Sequence, residues 1–210
     1  MLTRGLPTDV VVRRLPRLVL ALVGIGVAIA LMVRADLGLS PWDVLHQGIS
    51  ERTGVPIGTV GIAVGFVVLL AWIPLRERIG LGTILNVVIL GLSIDLALAW
   101  LPESSSLPVR WIELLVGTFA IGPGAALYLS VGLGAGPRDG VMTALVDRGL
   151  SLRLVRTVME LAVLVVGWLL GGTVGIGTLL FAFTVGPNLH WFTERVRLPD
   201  VEPVPVALAD

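Results

Sequence analysis

The sequence contains no cysteine, no lysine and only two histidines, and charged residues make up 14% of its 210 positions. The absence of cysteine excludes disulfides, thiol nucleophiles and cysteine metal sites. His46 and His190 lie far apart in the chain, which is a poor basis for a metal site. The nucleotide-binding pattern GxxxxGK[ST] is also missing. We therefore expect no cofactor, and no ATP-driven transport by this chain alone.

Apolar residues dominate the composition. Hydrophobic residues make up 55% of the chain, and the mean hydropathy is +0.95. The core of a soluble protein cannot bury this much apolar material. The composition therefore predicts an all-α integral membrane protein that has the lipid bilayer as a partner. The formal net charge is zero, and the charge balance gives no indication of nucleic-acid binding.

A repeated segment organises the chain. The sequence LGLSPWDVLHQGISER at Leu37–Arg52 returns 96 positions later as LGAGPRDGVMTALVDR. A second block, GLGTIL at Gly80–Leu85, returns 95 positions later as GIGTLL. Two blocks repeated in the same order indicate an internal duplication. The identical pairs in the first block are Leu37/Leu133, Gly38/Gly134, Pro41/Pro137, Asp43/Asp139 and Arg52/Arg148.

Six apolar stretches are long enough to cross about 30 Å of hydrocarbon at about 1.5 Å per helical residue. The repeated segments Pro41–Arg52 and Pro137–Arg148 reach only about 18 Å as helices. Each repeat is therefore predicted to contain three spans and one short helix. The predicted spans are Leu18–Val33, Ile57–Leu75, Leu81–Leu101, Trp111–Val131, Leu152–Leu170 and Val174–Phe192.

Three spans is an odd number, so the second repeat begins on the opposite side of the membrane from the first. The predicted architecture is a six-span helical bundle built from two inverted three-span repeats. With the N-terminus inside, twelve of the fifteen arginines fall in inner segments, and this bias places both termini in the cytoplasm. The predicted segments are an Arg-rich tail at 1–17, membrane repeats at 18–101 and 111–194, a linker at 102–110 and a disordered tail at 195–210.

Each short helix starts at a capping motif. SPWD at Ser40–Asp43 and GPRD at Gly136–Asp139 place proline at the first helical position and an acid near the positive end of the helix. This chemistry favours caps over ligands for both acids. Two interpretations of the amphipathic short helices remain open: helices lying on opposite membrane surfaces, or re-entrant helices whose polar faces line a central cavity. The candidate motif residues are Pro41, Asp43, Pro137 and Asp139.

The second and fifth spans differ on one face, where three glycines align with charged residues. A charge inside the membrane costs at least about 2.5 kcal/mol, so Glu160 requires a partner such as Arg156 or a wet cavity. If the two spans face each other, the glycines make room for the charged face. Glu160 is then the leading ionisable candidate in a pathway, and a salt bridge that ties the fifth span to a neighbour is the alternative. The aligned pairs are Gly58/Arg153, Gly61/Arg156 and Gly65/Glu160.

Asp95 and His190 occupy matched positions in the last turns of their spans. Snorkelling of the polar groups to the membrane surface accounts for both residues without a function. The alternative is that they act as gates at the two mouths of one pathway.

The residues ADLGLSPWDVLHQGI, GTVGI, IPLRERIGLGTILN and GLSIDL resemble the YczE/YyaS/YitT family of bacterial membrane proteins. The resemblance covers about residues 18–195 and implies a multi-pass protein of the bacterial inner membrane. It implies no active site. The second copy departs from the motif at Arg138, where the first copy has Trp42. The matched motif positions are Gly38, Pro41, Trp42, Asp43, Gly80, Gly82 and Thr83.

Two functions fit this architecture. A transporter or channel-like permease for a small molecule or an ion is the leading hypothesis, because inverted repeats place matched features near the membrane midplane. The alternative is a non-transporting accessory protein that acts on a membrane partner protein or on a second copy of the chain. An enzyme is not expected, because the sequence has no nucleophile or metal motif.

Overall fold

A computed structural model describes residues 7–104, 106–196 and 198. This part of the chain is helical without any strand, which confirms the all-α prediction. Its helices are α1 (Thr8–Ala35), α2 (Pro41–Thr53), α3 (Ile57–Leu75), α4 (Leu81–Trp100), α5 (Leu107–Ser130), α6 (Pro137–Val146), α7 (Leu152–Leu169) and α8 (Ile176–Val196).

Local chemistry explains where the two short helices begin. The Ser40 hydroxyl accepts a hydrogen bond from the Asp43 amide at 3.3 Å, and Pro41 is the first residue of α2. Pro137 opens α6 in the same way, directly after Gly136. Proline suits this position because its missing N–H has no helical acceptor. Both helices therefore start at the residues that the repeated motif indicated.

Three helix boundaries differ from the expected segments. α1 begins at Thr8, within the expected N-terminal tail, and α5 begins at Leu107, within the expected linker. α8 continues to Val196, beyond the expected end of the second repeat. Hydropathy marks where apolar residues stop, whereas a helix continues through polar turns that reach out of the apolar layer. The rest of the expected C-terminal tail, apart from residue 198, lies outside the described residues.

Four helices form the main core. α1 packs against α4 and α5, and α5 packs against α8. Leu18, Leu22 and Leu114 are fully buried in this core. Small residues allow the backbones to approach closely: a Cβ added to Gly117 of α5 would lie 2.6 Å from the carbonyl oxygen of Ala28 on α1.

The other four helices form a side group. α3 packs along α4, and Val44 of α2 and Ile57 of α3 are buried in the main core, so both helices join this group to it. α2 and α6 each pack against both α3 and α7, and we call them the bridge helices. α7 packs mainly on the bridge helices and is not packed along α8. Accordingly, Val155 and Gly167 are the two residues of α7 that are buried.

The surface is apolar over much of the helical bundle. Leu70 on α3 is 63% exposed and Phe183 on α8 is 78% exposed, as suits side chains that face lipid. Within the described chain, α1, α3, α4 and α5 are long and apolar enough to cross a membrane. α7 carries three charged residues and α8 has polar residues through its last turns, so neither helix is apolar enough by the same measure. The structure supports an all-α membrane fold, and six spans remain a prediction.

Candidate functional site

The first bridge helix has a buried polar cluster near its start. Asp43 is 7% exposed, and its Oδ2 accepts a 2.5 Å hydrogen bond from the Ser40 hydroxyl. Its Oδ1 lies 3.7 Å from Nδ1 of His46. His46 lies against α3, where a Cβ added to Gly61 would be 3.5 Å from Nδ1. A carboxylate, a hydroxyl and an imidazole thus meet at the contact between α2 and α3, a grouping that the sequence did not predict.

The matched positions on the second bridge helix differ. Asp139 lies 3.9 Å from Nε of Arg138, and its side chain is 41% exposed. Gly136 and Met142 stand where the first bridge helix has its serine and its histidine. The acid is therefore common to both bridge helices, whereas the hydroxyl and the imidazole belong to the first.

Pro41 and Pro137 are buried at the starts of the bridge helices. Nε1 of Trp72 on α3 donates a 2.8 Å hydrogen bond to the carbonyl oxygen of Pro137. Gly140 leaves room for the indole ring, since a Cβ added there would lie 2.1 Å from a ring carbon of Trp72. The start of α6 is therefore anchored to α3, a helix of the first repeat.

Two backbone hydrogen bonds join the repeated blocks reciprocally. The amide of Gly82 donates to the carbonyl of Leu133 at 2.9 Å, and the amide of Gly177 donates to the carbonyl of Leu37 at 2.8 Å. Gly82 and Gly177 are matched positions, as are Leu37 and Leu133. The second block of each repeat therefore binds the loop that precedes the bridge helix of the other repeat.

A second reciprocal pair of contacts joins α1 and α5. Nη1 of Arg14 donates to the carbonyl of Val131 at 2.9 Å, and Nε of Arg110 donates to the carbonyl of Ala35 at 2.6 Å. Each arginine lies near the start of one helix and binds a carbonyl at the end of the other. α1 and α5 are therefore antiparallel. The sequence interpretation missed these arginines, although their 96-residue separation equals the offset of the repeated motif.

Arg156 and Glu160 form a salt bridge within α7. Nε of Arg156 donates to Oε1 of Glu160 at 3.0 Å. The two side chains are 25% and 38% exposed. The structure thus gives Glu160 the partner that the sequence indicated, and the pair joins two turns of one helix rather than two different spans.

The face of α3 that carries Gly58, Gly61 and Gly65 packs against α4 and α2. A Cβ added to Gly58 would lie 2.0 Å from the carbonyl oxygen of Gly91, and one added to Gly65 would lie 3.0 Å from the Val87 side chain. Gly61 lies against the first bridge helix. The expectation that these glycines make room for the charged face of α7 is therefore wrong. Residue spacing identified the close-packed face, but it does not specify which helix fills it.

Asp95 and His190 make different contacts in spite of their matched positions. The carboxylate of Asp95 accepts hydrogen bonds from the amides of Gly58 and Thr59 at 2.6 and 2.8 Å, and from the Thr59 hydroxyl at 2.7 Å. Asp95 therefore caps the start of α3, where a negative charge meets the positive end of the helix. His190 is 51% exposed and lies 3.6 Å from Glu194 on its own helix.

Among the described residues, no three His, Asp or Glu side chains are grouped so that they could hold a metal ion. The polar side chains that are grouped offer two other kinds of chemistry. Ser40, Asp43 and His46 can accept and donate protons, and Arg156 with Glu160 can pair with charged groups of either sign.

These features define the class: an all-helical membrane protein with a duplicated sequence whose repeated blocks bind each other. The chain belongs to the family described as "Family of unknown function (DUF6198)", whose model matches residues 12–194.

Named relatives come from two bacteria. The chain is 41% identical to an "Uncharacterized protein" of Haemophilus influenzae, over 88% of this chain and 85% of the relative. It is 34% identical to the "Uncharacterized membrane protein YczE" of Bacillus subtilis, over 82% of this chain and 80% of the relative. It is 32% identical to the "Uncharacterized protein YyaS" of the same organism, over 83% and 92%. The resemblance to YczE and YyaS is thus confirmed. No solved structure matches the chain.

Proposed function

We propose that the protein is a multi-pass permease of the bacterial inner membrane, built from two inverted three-span repeats, for a small molecule or an ion. In this proposal α7 and α8 supply the fifth and sixth spans, and both termini are cytoplasmic. The antiparallel arrangement of α1 and α5, held by Arg14 and Arg110, supports it. Repeats that cross the membrane in opposite directions bring their shared site close to the midplane.

The observation that carries the proposal is the reciprocal bonding between the repeated blocks. The Gly82–Leu133 and Gly177–Leu37 hydrogen bonds tie the loop before each bridge helix to the opposite repeat. Movement of one repeat against the other has to change these contacts. With inverted repeats the two contacts lie toward opposite membrane faces, so one can open while the other stays closed. This is the requirement of alternating access.

Polar side chains beside the first bridge helix supply chemistry for such a cycle. The side chains of Asp43 and His46 are only 10% and 15% exposed. Ionisable groups buried in a membrane protein are costly, and they commonly mark ion or proton pathways. In the proposed cycle, this pair binds a proton or a cation while the substrate passes between the bridge helices.

A cysteine-accessibility scan tests the permease directly, because the chain has no cysteine of its own. Single variants His46→Cys, Asp139→Cys and Glu160→Cys are labelled with a membrane-impermeant maleimide in intact cells and in inside-out vesicles. We expect His46→Cys to react from outside and the other two to react from inside, because water enters from both faces. Glu51→Cys, at the exposed end of α2, is the positive control. Val67→Cys, at a position 65% exposed on the apolar surface of α3, should stay unlabelled.

Protection of all three test positions in both preparations contradicts a water-filled path. It favours the second candidate function, an accessory protein that acts on a membrane partner or on a second copy. The contacts of Asp95, Arg156 and Glu160 favour this candidate, since each of these side chains has a partner within the chain and a structural role without a substrate. An accessory protein also predicts that Glu160→Gln leaves the activity of the partner complex unchanged.

A further inference from the structure

We propose that Asp36, at the end of α1, is a latch that keeps the outer end of the permease pathway closed. The inference rests on the proposed function, and it concerns which contacts between the two repeats have to break before the outer end opens. In the proposed orientation, with the N-terminus cytoplasmic, the end of α1 lies on the outer side of the membrane. Asp36 directly precedes Leu37, whose carbonyl accepts a hydrogen bond from the amide of Gly177.

Asp36 is the centre of a chain of side-chain contacts, which we call the Asp36 network. Its Oδ2 accepts a hydrogen bond from Nη2 of Arg110 on α5 at 3.2 Å. Its Oδ1 accepts one at 3.0 Å from the hydroxyl of Thr173, in the loop between α7 and α8. The Thr173 amide in turn donates to Oε1 of Gln47 on α2 at 2.7 Å. Asp36 and Gln47 belong to the first repeat, whereas α5 and the α7–α8 loop belong to the second, so every bond of the network joins one repeat to the other.

The Asp36 network has no copy at the inner end. The residues that match Asp36, Thr173 and Gln47 are Gly132, Arg78 and Thr143. Gly132 has no side chain, so the matched position cannot form an ion pair or accept a hydrogen bond from a hydroxyl through a carboxylate. The network is therefore a feature of the outer end, although the loops that carry it are repeated.

The arginine contacts of the bridge helices, by contrast, occur in both repeats. Nε of Arg52 on α2 donates to the carbonyl of Leu170 at 3.0 Å, beside the end of α7. Nη2 of Arg148 on α6 donates to the carbonyl of Leu75 at 3.0 Å, at the end of α3. Leu75 and Leu170 are matched positions. Each bridge helix is thus held to a helix end of the other repeat, and the Asp36 network adds a further hold at the outer end.

The backbone at Asp36 indicates that its carboxylate has a role. Asp36 caps the end of α1 with a φ angle of +46°, in the left-handed region that residues with a side chain seldom adopt. The matched Gly132 has a φ angle of +67°, and glycine takes this conformation without a steric penalty. Strained backbone of this kind occurs mainly where the surroundings or the function require it. The carboxylate that distinguishes Asp36 from Gly132 is the group that binds the second repeat.

The Asp36 network ends beside the buried polar cluster of the first bridge helix. Gln47 directly follows His46, and Asp43 lies one turn earlier on α2. The Thr173 carbonyl also accepts a hydrogen bond from the Leu39 amide at 3.3 Å. The α7–α8 loop is therefore bound both to α2 and to the segment before it. In the proposed cycle, release of these bonds lets the loop move away from α2, and water reaches the cluster from outside.

The ion pair of the network is accessible to water, as suits a contact that opens in every cycle. The side chain of Asp36 is 59% exposed and that of Arg110 is 30% exposed. Exposed ion pairs contribute little stability individually, and salt weakens them further. The latch therefore biases the outer end toward the closed state without fixing it there.

Rates of cysteine labelling test the latch. The single-cysteine proteins His46→Cys and Asp139→Cys report on the outer and inner ends, and each is combined with Asp36→Asn or Asp36→Gly. The first substitution removes the charge, and the second reproduces the glycine of the other repeat. We expect both to raise the rate at which an impermeant maleimide labels His46→Cys from outside by about fivefold. Labelling of Asp139→Cys from inside should not rise, because the two ends do not open together. Glu51→Gln, which removes an exposed acid outside the network, should change neither rate.

The outcomes separate the latch from the permease. If His46→Cys is labelled and both Asp36 variants leave the rate unchanged, the latch is wrong and the permease is not affected. If neither reporter is labelled in any variant, the permease and the latch fail together. An equal rise for Asp139→Cys, or an equal rise with Glu51→Gln, indicates a general loosening and also overturns the latch. If the Asp36 variants fail to fold, Thr173→Val decides the question. It removes the hydroxyl bond to Asp36 but keeps the backbone bonds, and unchanged labelling of His46→Cys would then contradict the proposal.

Discussion

Asp95 shows how a single side chain obtains its role from a distant part of the chain. Its carboxylate caps α3 by binding the amides of Gly58 and Thr59, which lie 37 and 36 residues away in sequence. The matched His190 has no such task, because α7 is capped by its own Ser151, whose side chain accepts a hydrogen bond from the Leu154 amide. The position of Asp95 in the last turns of its span was predictable from the sequence. Its contact with the start of α3 was not, because no residue near Asp95 in the sequence indicates it.

Replacing Asp95 by Asn should therefore destabilise the protein. The amide keeps one acceptor oxygen but loses the negative charge that interacts with the positive end of α3, and its NH₂ group faces backbone donors. We expect the free energy of unfolding to fall by about 1–3 kcal/mol. Thermal unfolding in detergent, followed by circular dichroism, measures the change. Asp147→Asn, at an exposed position, serves as the control and should shift the midpoint little. Equal shifts in the two variants would show that the cap is unimportant.

At the scale of helices, the bridge helices determine how α7 is held. Gly167 near the end of α7 meets the backbone of α2, since an added Cβ would lie 2.4 Å from the Leu45 amide nitrogen. Likewise, a Cβ added to Gly48 of α2 would lie 2.4 Å from the Gly167 carbonyl oxygen. The backbones of α2 and α7 are thus in close contact where the two helices cross, at Gly48 and Gly167. Amphipathic spacing predicted the short helices themselves, whereas this crossing depends on the three-dimensional path of the chain.

Gly167→Ala should consequently separate α2 from α7. The added methyl group meets backbone atoms that cannot rotate away, so we expect a loss of about 1–3 kcal/mol in stability. Gly24→Ala in α1 is a matched control, because a Cβ there has nothing within 4 Å. That control should be neutral or slightly stabilising, since alanine is the better helix former. Detergent unfolding curves for both variants provide the comparison, and a neutral Gly167→Ala would show that the crossing is looser than the structure indicates.

Over the whole molecule, some contacts occur in both repeats and others occur in only one of them. Gly38 and Gly134 precede the bridge helices with φ angles of +114° and +138°. A Cβ on Gly38 would lie 2.7 Å from the Gly175 amide nitrogen, and one on Gly134 would lie 2.7 Å from the Thr83 hydroxyl oxygen. By contrast, α3 packs along α4 without an equivalent between α7 and α8. The paired contacts support the inverted repeat, which stays a prediction. The six spans, the orientation in the membrane and the likeness to YitT also stay predictions.

Gly38→Ala and Gly134→Ala provide a test of that symmetry. Both substitutions force a side chain into a left-handed conformation and into the opposite repeat, so each should cost more than about 1 kcal/mol. We expect losses of similar size, because both glycines have positive φ angles and an added Cβ would lie 2.7 Å from an atom of the other repeated block in each case. Gly54→Ala is the control: its φ is +72°, but an added Cβ has nothing within 4 Å, so it reports backbone strain alone. A large loss in one variant with none in the other would contradict equivalent roles for the two loops.

The sequence by itself determined the helical membrane class, the repeated blocks and the starts of the bridge helices, and it limited Glu160 to a partner such as Arg156 or a wet cavity. These properties depend on apolar content, on repeated letters and on interactions within one or two helical turns, all of which are local. Only the tertiary structure decided that the glycine face of α3 meets α4, that Asp95 caps α3 and that His46 lies beside Gly61. It also decided that α7 stands away from α8. Such choices depend on which surfaces fit together without leaving voids or unpaired backbone groups, and residue spacing along one helix does not contain that information.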